Sequence, residues 1–448
     1  MAILFQRSSP NDTGIRRAGP TATAPNANAR RGEDAEIRQI VDQRLVSAEF
    51  QPMVSLAGRE PWAFEALARG PATSPLGAPG AMFGAAARVG LAGELDRVAH
   101  AAAFGVVLDN SPGYRLPLSV NAGPVGLATP NPVDLAEVAE RAQRQFPVIV
   151  ELAESAVVAD PLAALVAVDR ARADGMRIAV DNVGLAPASF VLLPLVQPDV
   201  VKLDRSLVTN ADAAQTLIGG LTDYVRQSRV RVVAQGIERE EHIDLAVAMG
   251  ARYGQGYLFS RPLPLPKGAG EPRDTAWSSA LSLDAEVLPD ELLGVGSDSP
   301  LADIGVIRQV ATLMTRRAEA HADPAVIILV SPAGGLAADS WLLPRPLARA
   351  SALAMIMTPD ENKKPLPNVV THAVAAKDPL ATRFALAILT ADGASLLAAR
   401  PGGDDRTGTY QYQISHNRDD VLLACRSLLR RCVAQLASAP GGRPFADD

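Results

Sequence analysis

Short apolar runs that each end in polar side chains constrain the fold of this chain more than any other feature. The run at residues 178–180 is followed by Asp181 and Asn182, and the run at residues 200–201 is followed by Lys202. Turn-forming residues and an apolar block separate the two runs. Short buried strands that alternate with helical segments are typical of β-α units around a parallel sheet. In a closed barrel of such units, binding and catalytic groups lie at the carboxyl ends of the strands.

The same pattern occurs eight times over about 230 residues, which favours an α/β fold of the (β/α)8 TIM-like barrel type. Helical patterns lie between the runs, for example at residues 94–104, 134–145 and 211–227. The first two runs are joined by the short turn AGREP, so one strand is expected to be antiparallel to the rest. The eight runs are EFQPMVSL, WAFEALARG, LPLSVN, VIVELAE, RIAVDN, VVKLD, RVVAQGIE and RYGQGYLFSRPLP.

Changes in composition predict the domain boundaries. Residues 1–32 lack periodicity and are expected to form a disordered tail, as are residues 438–448. The barrel is predicted over residues 33–264, beginning with a helix at its first residue. A linker rich in Pro, Gly, Ser and acidic residues follows at 265–300. A smaller α/β or α+β domain is predicted over residues 301–437.

The smaller domain contains its own alternation of helical and strand patterns. We predict a helix over IGVIRQVATLMTRRAEA and a strand over AVIILVS. A second helix is predicted over PLARASALAMIM, and a second strand over RFALAILT. The final helix is predicted over DDVLLACRSLLRRCVAQL. His372 and His416 are isolated and are interpreted as surface or loop histidines.

Charge and composition exclude several classes of function. The formal net charge is −6 and no dense basic stretch occurs, which argues against binding of a nucleic-acid polymer. No apolar run reaches membrane-spanning length, and the N-terminal apolar stretch is too short for a secretory signal. Cys425 and Cys432 are seven residues apart in a helical pattern, which favours buried thiols on one face in a reducing compartment. We therefore expect a cytoplasmic protein that does not associate with membranes.

Seven motifs in order carry a resemblance to a known family. They are FEALARG, the Asn121 strand end, ELAE at residues 151–154, DNVG at 181–184, KLD at 202–204, QGIE at 235–238 and QGYLFSRPLP. Their order and spacing closely resemble the EAL family, whose members degrade or sense the bacterial second messenger cyclic di-GMP. The resemblance covers residues 45–264 and implies cyclic di-GMP as the ligand. It also suggests that the barrel forms a homodimer.

Four residues supply the oxygen donors of a metal site. Glu65, Asn121, Glu151 and Asp181 suit a hard cation such as Mg²⁺ or Mn²⁺. The resemblance implies that these positions hold the first of two metals, which polarise a phosphodiester and activate water for in-line attack.

The resemblance assigns roles to further side chains around this centre. Lys202, Gln235 and Glu238 are predicted to be catalytic residues, with Lys202 facing a phosphate or the attacking water. The predicted substrate-binding residues are Gln51, Arg69, Asp204 and Gln255. A guanidinium offers a forked donor to a phosphate or a guanine edge. Glu154 is expected to brace a loop beside the site.

The chain departs from the family at two positions. Active members have an aspartate where this chain has Asn182 and a glutamate where it has Gln235. Amides keep the shape of the acids but carry no charge and cannot take up a proton near neutral pH. Both changes affect the second metal and the activation of water, whereas the first metal keeps its four ligands. Glu238 remains as a carboxylate that offers an escape route for activity.

Three functional hypotheses follow from these observations. The first is a signalling protein with a degenerate EAL domain, which binds cyclic di-GMP with weak or no hydrolysis. The second is an active phosphodiesterase that gives pGpG. The third is a nucleotide-independent module that binds a protein partner.

The C-terminal domain has a softer resemblance. The segments DPLATRFALAILTADGASLLAAR and YQYQISHNRDDVLLACRSLLRR are similar to the DICT family, which implies a sensory domain. The sequence GGDD at residues 402–405 is similar to a cyclase signature, but too few residues follow it for a cyclase domain.

Overall fold

The computed structural model describes residues 27–110, 113–210, 221–222, 224–226, 228, 230–267, 287–321, 324–335, 339–360, 366–402 and 408–438. Eight strands close into a barrel in chain order. The first strand pairs antiparallel with the second and the eighth, and the other neighbouring pairs are parallel. The predicted barrel with one antiparallel strand is therefore confirmed. The strands are β1 (Ser47–Ser55), β2 (Pro61–Arg69), β3 (Leu118–Asn121), β4 (Val148–Ala153), β5 (Arg177–Val183), β6 (Val200–Leu203), β7 (Arg231–Ala234) and β8 (Tyr253–Gly254).

Helices surround the barrel. The helices predicted at residues 94–104 and 134–145 are present, whereas most of the pattern at 211–227 lies outside the described residues. The helix predicted from Glu33 begins earlier, at Ala27. The helices are α1 (Ala27–Asp42), α2 (Pro79–Arg88), α3 (Ala92–Asn110), α4 (Pro124–Ala128), α5 (Val133–Gln145), α6 (Glu154–Ala159), α7 (Pro161–Ala173), α8 (Ser189–Val196), α9 (Arg205–Thr209) and α10 (Glu241–Ala248).

Apolar side chains fill the barrel interior below the strand ends. Met53, Ile149 and Val233 lie there, and Trp62 stacks on Tyr253 with ring centroids 4.3 Å apart. The parallel strands are covered on both faces, so their sequences are nearly continuous apolar runs.

The C-terminal domain contains a seven-stranded mixed sheet. The strands are β9 (Leu301–Asp303), β10 (Ala325–Val330), β11 (Leu353–Thr358), β12 (Val370–Ala373), β13 (Phe384–Thr390), β14 (Ala394–Pro401) and β15 (Thr409–Ser415). The helices are α11 (Pro289–Leu292), α12 (Ile304–His321), α13 (Arg345–Ala350) and α14 (Arg418–Ser438). The strand order in the sheet is β12-β11-β10-β13-β14-β15-β9. One face of the sheet packs against α12 and the other against α14, each through a separate apolar cluster.

One predicted element of this domain is wrong in its second half. The helix predicted over PLARASALAMIM ends at Ala350, and β11 begins at Leu353. All six residues of β11 are buried, and the strand is paired in parallel on both edges. A short buried apolar run has no alternation, so periodicity alone does not separate a strand from a helix. The strands β9, β12, β14 and β15 have no counterpart among the predictions.

The two cysteines lie on α14 as expected. Cys425 and Cys432 are free and buried, and burial raises the pKa of each thiol to about 12. The helix also touches the barrel, since Arg426 Nε donates to the carbonyl of Pro194 at 3.0 Å. In the described part of the chain, no helix is both long and apolar enough to cross a bilayer.

Candidate functional site

Polar side chains from all eight barrel strands meet at one rim. The antiparallel β1 contributes from its middle, because Gln51 lies opposite Glu65 in the β1–β2 ladder. Glu65 comes from the middle of β2, and the remaining residues come from the carboxyl-terminal half of their strand or from the residue that follows it. The convergent residues are Gln51, Glu65, Asn121, Glu151, Asp181, Lys202, Gln235 and Gln255.

Lys202 lies at the centre of this group. Its Nζ atom is 2.8 Å from Glu65, 2.6 Å from Glu151 and 3.4 Å from Asp181, and its side chain is fully buried. Burial favours the neutral amine, but the three carboxylates outweigh burial and raise the pKa of Lys202 well above its usual value. Lys202 is therefore a permanent ammonium ion that partly compensates three acids.

The two glutamates respond differently to burial. For Glu65, burial favours the acid, but Lys202 and the amides of Gln255 and Asn121 outweigh it and lower the pKa. For Glu151, burial and the charges of Glu65 and its other acidic neighbour raise the pKa to about 8, against the opposing effect of Lys202. The single positive charge of Lys202 thus does not neutralise all the acidic side chains of this rim, which keeps a net negative charge.

A bulge in β5 brings consecutive side chains together. The β5–β6 register shifts between Val180 and Val183, and Asn182 has a φ of 58°, in the left-handed region that asparagine tolerates. Asn182 Nδ2 donates to Asp181 Oδ2 at 2.7 Å. Gln235 Nε2 donates to Asp181 Oδ1 at 2.9 Å. Both oxygens of Asp181 therefore accept hydrogen bonds, one from the amide of Asn182 and one from the amide of Gln235.

The donor chemistry of the rim fits a hard divalent cation. Three carboxylates and the Asn121 amide supply oxygens of the type that Mg²⁺ and Mn²⁺ prefer. The Oε1 atoms of Gln235 and Gln255 are buried and have no hydrogen-bond donor in the described part of the chain. Among all the residues that the structure describes, no group of three or more acidic, cysteine or histidine side chains has an arrangement that would hold a metal ion. The carboxylates are instead gathered around Lys202.

Glu154 fixes the loop that follows the bulge. Its carboxylate accepts hydrogen bonds from the backbone N–H groups of Gly184, Leu185 and Ala186 at 2.8–3.1 Å. It also accepts from the Ser189 hydroxyl at 2.5 Å, at the start of α8. The structure therefore shows the bracing contact that the resemblance implied.

Three of the predicted site residues have local partners instead. Arg69 pairs with Glu49 at 2.8 Å, away from the central cluster. Asp204 caps α9 by accepting from the Ser206 backbone N–H at 2.8 Å. Glu238 is exposed and lies 3.9 Å from an arginine side chain.

A cavity of about 490 Å³ opens beside the central cluster. Glu65, Asn121 and Glu151 form its polar edge, and Phe83 and Val120 contribute to a mostly apolar wall. A cavity of this size falls within the range of small-molecule sites, ~300–1,000 Å³.

Two further polar residues line this cavity and were not among the predicted site residues. Asp96 Oδ2 accepts from the Gly123 backbone N–H at 3.0 Å, and burial raises its pKa to about 7. The His100 ring contacts the Asn121 carbonyl through Nε2 at 2.9 Å, and burial lowers its pKa to about 4. Their spacing of four residues places both on one face of α3. That spacing was the available signal.

Comparison with known proteins places the barrel in a family. The sequence profile of the EAL domain matches residues 34–262, just over half of the chain. The chain belongs to the EAL domain family. The resemblance found in the sequence is thereby confirmed for the barrel.

Individual relatives match part of the chain. The chain is 30% identical over 122 residues to a probable cyclic di-GMP phosphodiesterase, PdeA of Escherichia coli, covering 26% of this chain and 17% of PdeA. It is 27% identical over 235 residues to E. coli PdeB, described as a probable enzyme of the same type, covering 51% and 45%. A solved calcium and cyclic di-GMP complex of BlrP1 from Klebsiella pneumoniae is 28% identical, with a TM-score of 0.44, covering 49% and 56%. The chain spans less than half the length of the two curated relatives.

Proposed function

We propose that the EAL barrel of this protein binds cyclic di-GMP and hydrolyses it slowly or not at all. The observation that carries the proposal is the pair of hydrogen bonds from Asn182 and Gln235 to Asp181. Acids at these two positions would face the Asp181 carboxylate and require additional cations to offset the repulsion. Neutral amides satisfy Asp181 without a second cation.

The rest of the rim supports retention of the nucleotide. Relatives of the barrel are described as cyclic di-GMP phosphodiesterases, and the BlrP1 structure is a complex with that nucleotide. The cavity beside the cluster offers an apolar wall to a base and an edge of oxygen donors to a metal-bound phosphate. Glu65, Asn121, Glu151 and Asp181 would hold one Mg²⁺ or Mn²⁺ ion, which would supply Lewis acidity to a phosphate oxygen.

Proton transfer is the weak step in this site. Gln235 lies where the family has a glutamate, and an amide does not accept a proton near neutral pH. Glu238 is exposed, and its carboxylate lies 3.9 Å from the Arg205 guanidinium. Loss of a general base typically costs ~10²–10⁴-fold in rate. The geometry therefore favours a binding site over an efficient enzyme.

The test is calorimetry and product analysis on the same protein. We expect saturable binding of cyclic di-GMP in Mg²⁺ or Mn²⁺ and little pGpG after prolonged incubation. Glu65→Gln should weaken binding, whereas the exposed helix variant Arg144→Gln should not. No heat at high micromolar nucleotide, with or without metal, would contradict the proposal and favour the nucleotide-independent module.

An active phosphodiesterase is the second candidate. The presence of Glu65, Asn121, Glu151 and Asp181 at one rim favours it. Its signature would be metal-dependent release of pGpG at a rate on the order of 1–10 s⁻¹, typical of enzymes.

The wider role is proposed from the sequence. The C-terminal domain, which resembles the DICT family, would sense an input or relay an output for a cytoplasmic signalling protein. A protein partner and a homodimeric barrel belong to the same proposal. The contact of Arg426 with Pro194 supports communication between the two domains.

A further inference from the structure

A second cavity lies at one end of the C-terminal sheet, far along the chain from the barrel site. Its volume is about 470 Å³. Its wall carries the side chains of two arginines, Arg383 and Arg400, together with Ser297, Thr382 and Gln411. No acidic side chain lines it among the described residues. This composition is unusual because hydrogen-bond donors and positive charge dominate.

Strand pairing explains why two guanidinium groups meet here. Phe384 pairs with Ala399 in the antiparallel β13–β14 ladder, and extending this register by one residue sets Arg383, just before β13, opposite Arg400. Residues opposite each other in a ladder project to the same face of the sheet. Like charges placed directly opposite are destabilising. The position therefore calls for compensating negative charge.

Only one of the two arginines has a counterion within the described residues. Arg383 Nε lies 2.9 Å from Oδ2 of Asp290, which is buried on α11. Arg400 makes one long hydrogen bond, from Nε to Gln411 Oε1 at 3.4 Å. In the described part of the chain, no carboxylate lies within ion-pair distance of Arg400.

The acids close to the cavity are engaged elsewhere or face solvent. Asp378 is paired with Arg431 at 2.9 Å. Asp298 is exposed and accepts from the Ser297 hydroxyl at 3.3 Å. The described wall of the cavity therefore carries about one uncompensated positive charge.

We propose that this cavity binds a small organic anion through a phosphate or carboxylate group placed beside Arg400. A guanidinium presents two parallel N–H donors that match the oxygens of either group. The hydroxyls of Ser297 and Thr382 and the amide of Gln411 offer further hydrogen bonds to the polar body of the ligand. The cavity volume falls within the ~300–1,000 Å³ range of small-molecule sites.

The location of the cavity couples the ligand to the interdomain segment. Ser297, on the wall, and Asp290, behind Arg383, both precede the first strand of the sheet. An occupant would thus contact both the sheet and the segment that leads from the barrel. The inference goes beyond the proposed function of the barrel and does not depend on it.

The test uses the full chain and three probes: inorganic phosphate, pyrophosphate and citrate. Calorimetry and thermal shift would be measured on wild type, Arg400→Gln and Arg349→Gln. Arg349 is an exposed arginine of α13 and makes the control variant equal in charge. We expect saturable binding of at least one probe, weakened at least about tenfold by Arg400→Gln and unchanged by Arg349→Gln. Phosphate-type and carboxylate-type ligands are separated by which probes bind.

Several outcomes would overturn the proposal. The first is equal binding of a probe by wild type and Arg400→Gln. The second is that wild type binds none of the probes at about 10 mM, a concentration at which a dissociation constant of even ~1 mM gives detectable binding. If Arg400→Gln does not fold, Arg400→Lys carries the test. It should bind more weakly than wild type because lysine lacks the fork. Equal affinity would contradict the proposal. Cyclic di-GMP binding, measured in parallel on the Arg400 variants, separates failure here from failure at the barrel.

Discussion

Substituting acids at positions 182 and 235 is the sharpest perturbation of the barrel site. The double variant Asn182→Asp with Gln235→Glu replaces two neutral donors by carboxylates that face Asp181. The amide nitrogens now lie 2.7 and 2.9 Å from the Asp181 oxygens. Each lost hydrogen bond to a charged group is worth about 1.5–3 kcal/mol. The left-handed backbone at position 182 would accept the substitution, because aspartate, like asparagine, adopts positive φ.

The new charges add repulsion to the lost hydrogen bonds. Each new carboxylate, about 3 Å from Asp181, would repel it by about 6 kcal/mol at an effective dielectric of about 20, before the side chains rotate apart. The metal-free double variant should therefore lose several kcal/mol of stability relative to wild type. Bound Mn²⁺ or Mg²⁺ should recover this loss by mass action, since the ion binds the folded state.

Activity should rise in a coupled way. A restored general base contributes ~10²–10⁴-fold, but it needs a metal-bound water to act on. Each single variant should thus gain less than its share of the double, a non-additivity that a double-mutant cycle measures. The assay is pGpG formation at saturating metal for wild type, both singles and the double. Turnover by wild type that equals the double variant would refute the reasoning and would point to Glu238 as the base.

Three further predictions follow from buried charges and the braced loop. Lys202→Met leaves three carboxylates without their ammonium ion and should cost about 3–5 kcal/mol in chemical denaturation without metal; stability equal to wild type would contradict the contacts. Asp96→Asn should raise thermal stability at pH 8 but not near pH 4. Burial raises the folded pKa of Asp96 to about 7, so ionising this carboxyl group costs up to about 4 kcal/mol of stability as pH rises from ~4 to ~7. An equal gain in stability at both pH values would exclude this cause. Glu154→Ala should lower the free energy of unfolding by about 1–3 kcal/mol, because three backbone N–H groups lose their hydrogen-bond acceptor. It should also speed proteolysis at residues 184–189. Unchanged cleavage would show that the Glu154 hydrogen bonds are not needed to hold this loop.

The barrel and most of its rim could be predicted because strand ends are visible in the sequence. Each apolar run stops at a polar residue, and parallel strands bring those stops to one edge. Asn121 and Lys202 follow directly from that rule. The antiparallel first strand followed from a turn too short for a crossover.

The remaining features depend on geometry that periodicity does not encode. The convergence of Asn182 and Gln235 on Asp181 depends on the bulge in β5. The sequence DNVG at residues 181–184 contains no signal that predicts this bulge. Arg69 and Asp204 have partners supplied by their own neighbourhood, an ion pair and a helix cap, which strand-end logic does not anticipate. In the C-terminal domain, β11 is buried on both faces, so its sequence is a continuous apolar run without alternation. For that reason the run could not be distinguished from a continuation of the preceding helix, and the helix was predicted too long.

One measurement tests the central claim most directly. The purified protein would be titrated with cyclic di-GMP in Mn²⁺, and the same samples would then be assayed for pGpG. The account predicts saturable binding with intact nucleotide recovered at the end. Complete conversion to pGpG within minutes, at a turnover on the order of 1 s⁻¹ or faster, would contradict it, as would the absence of any binding.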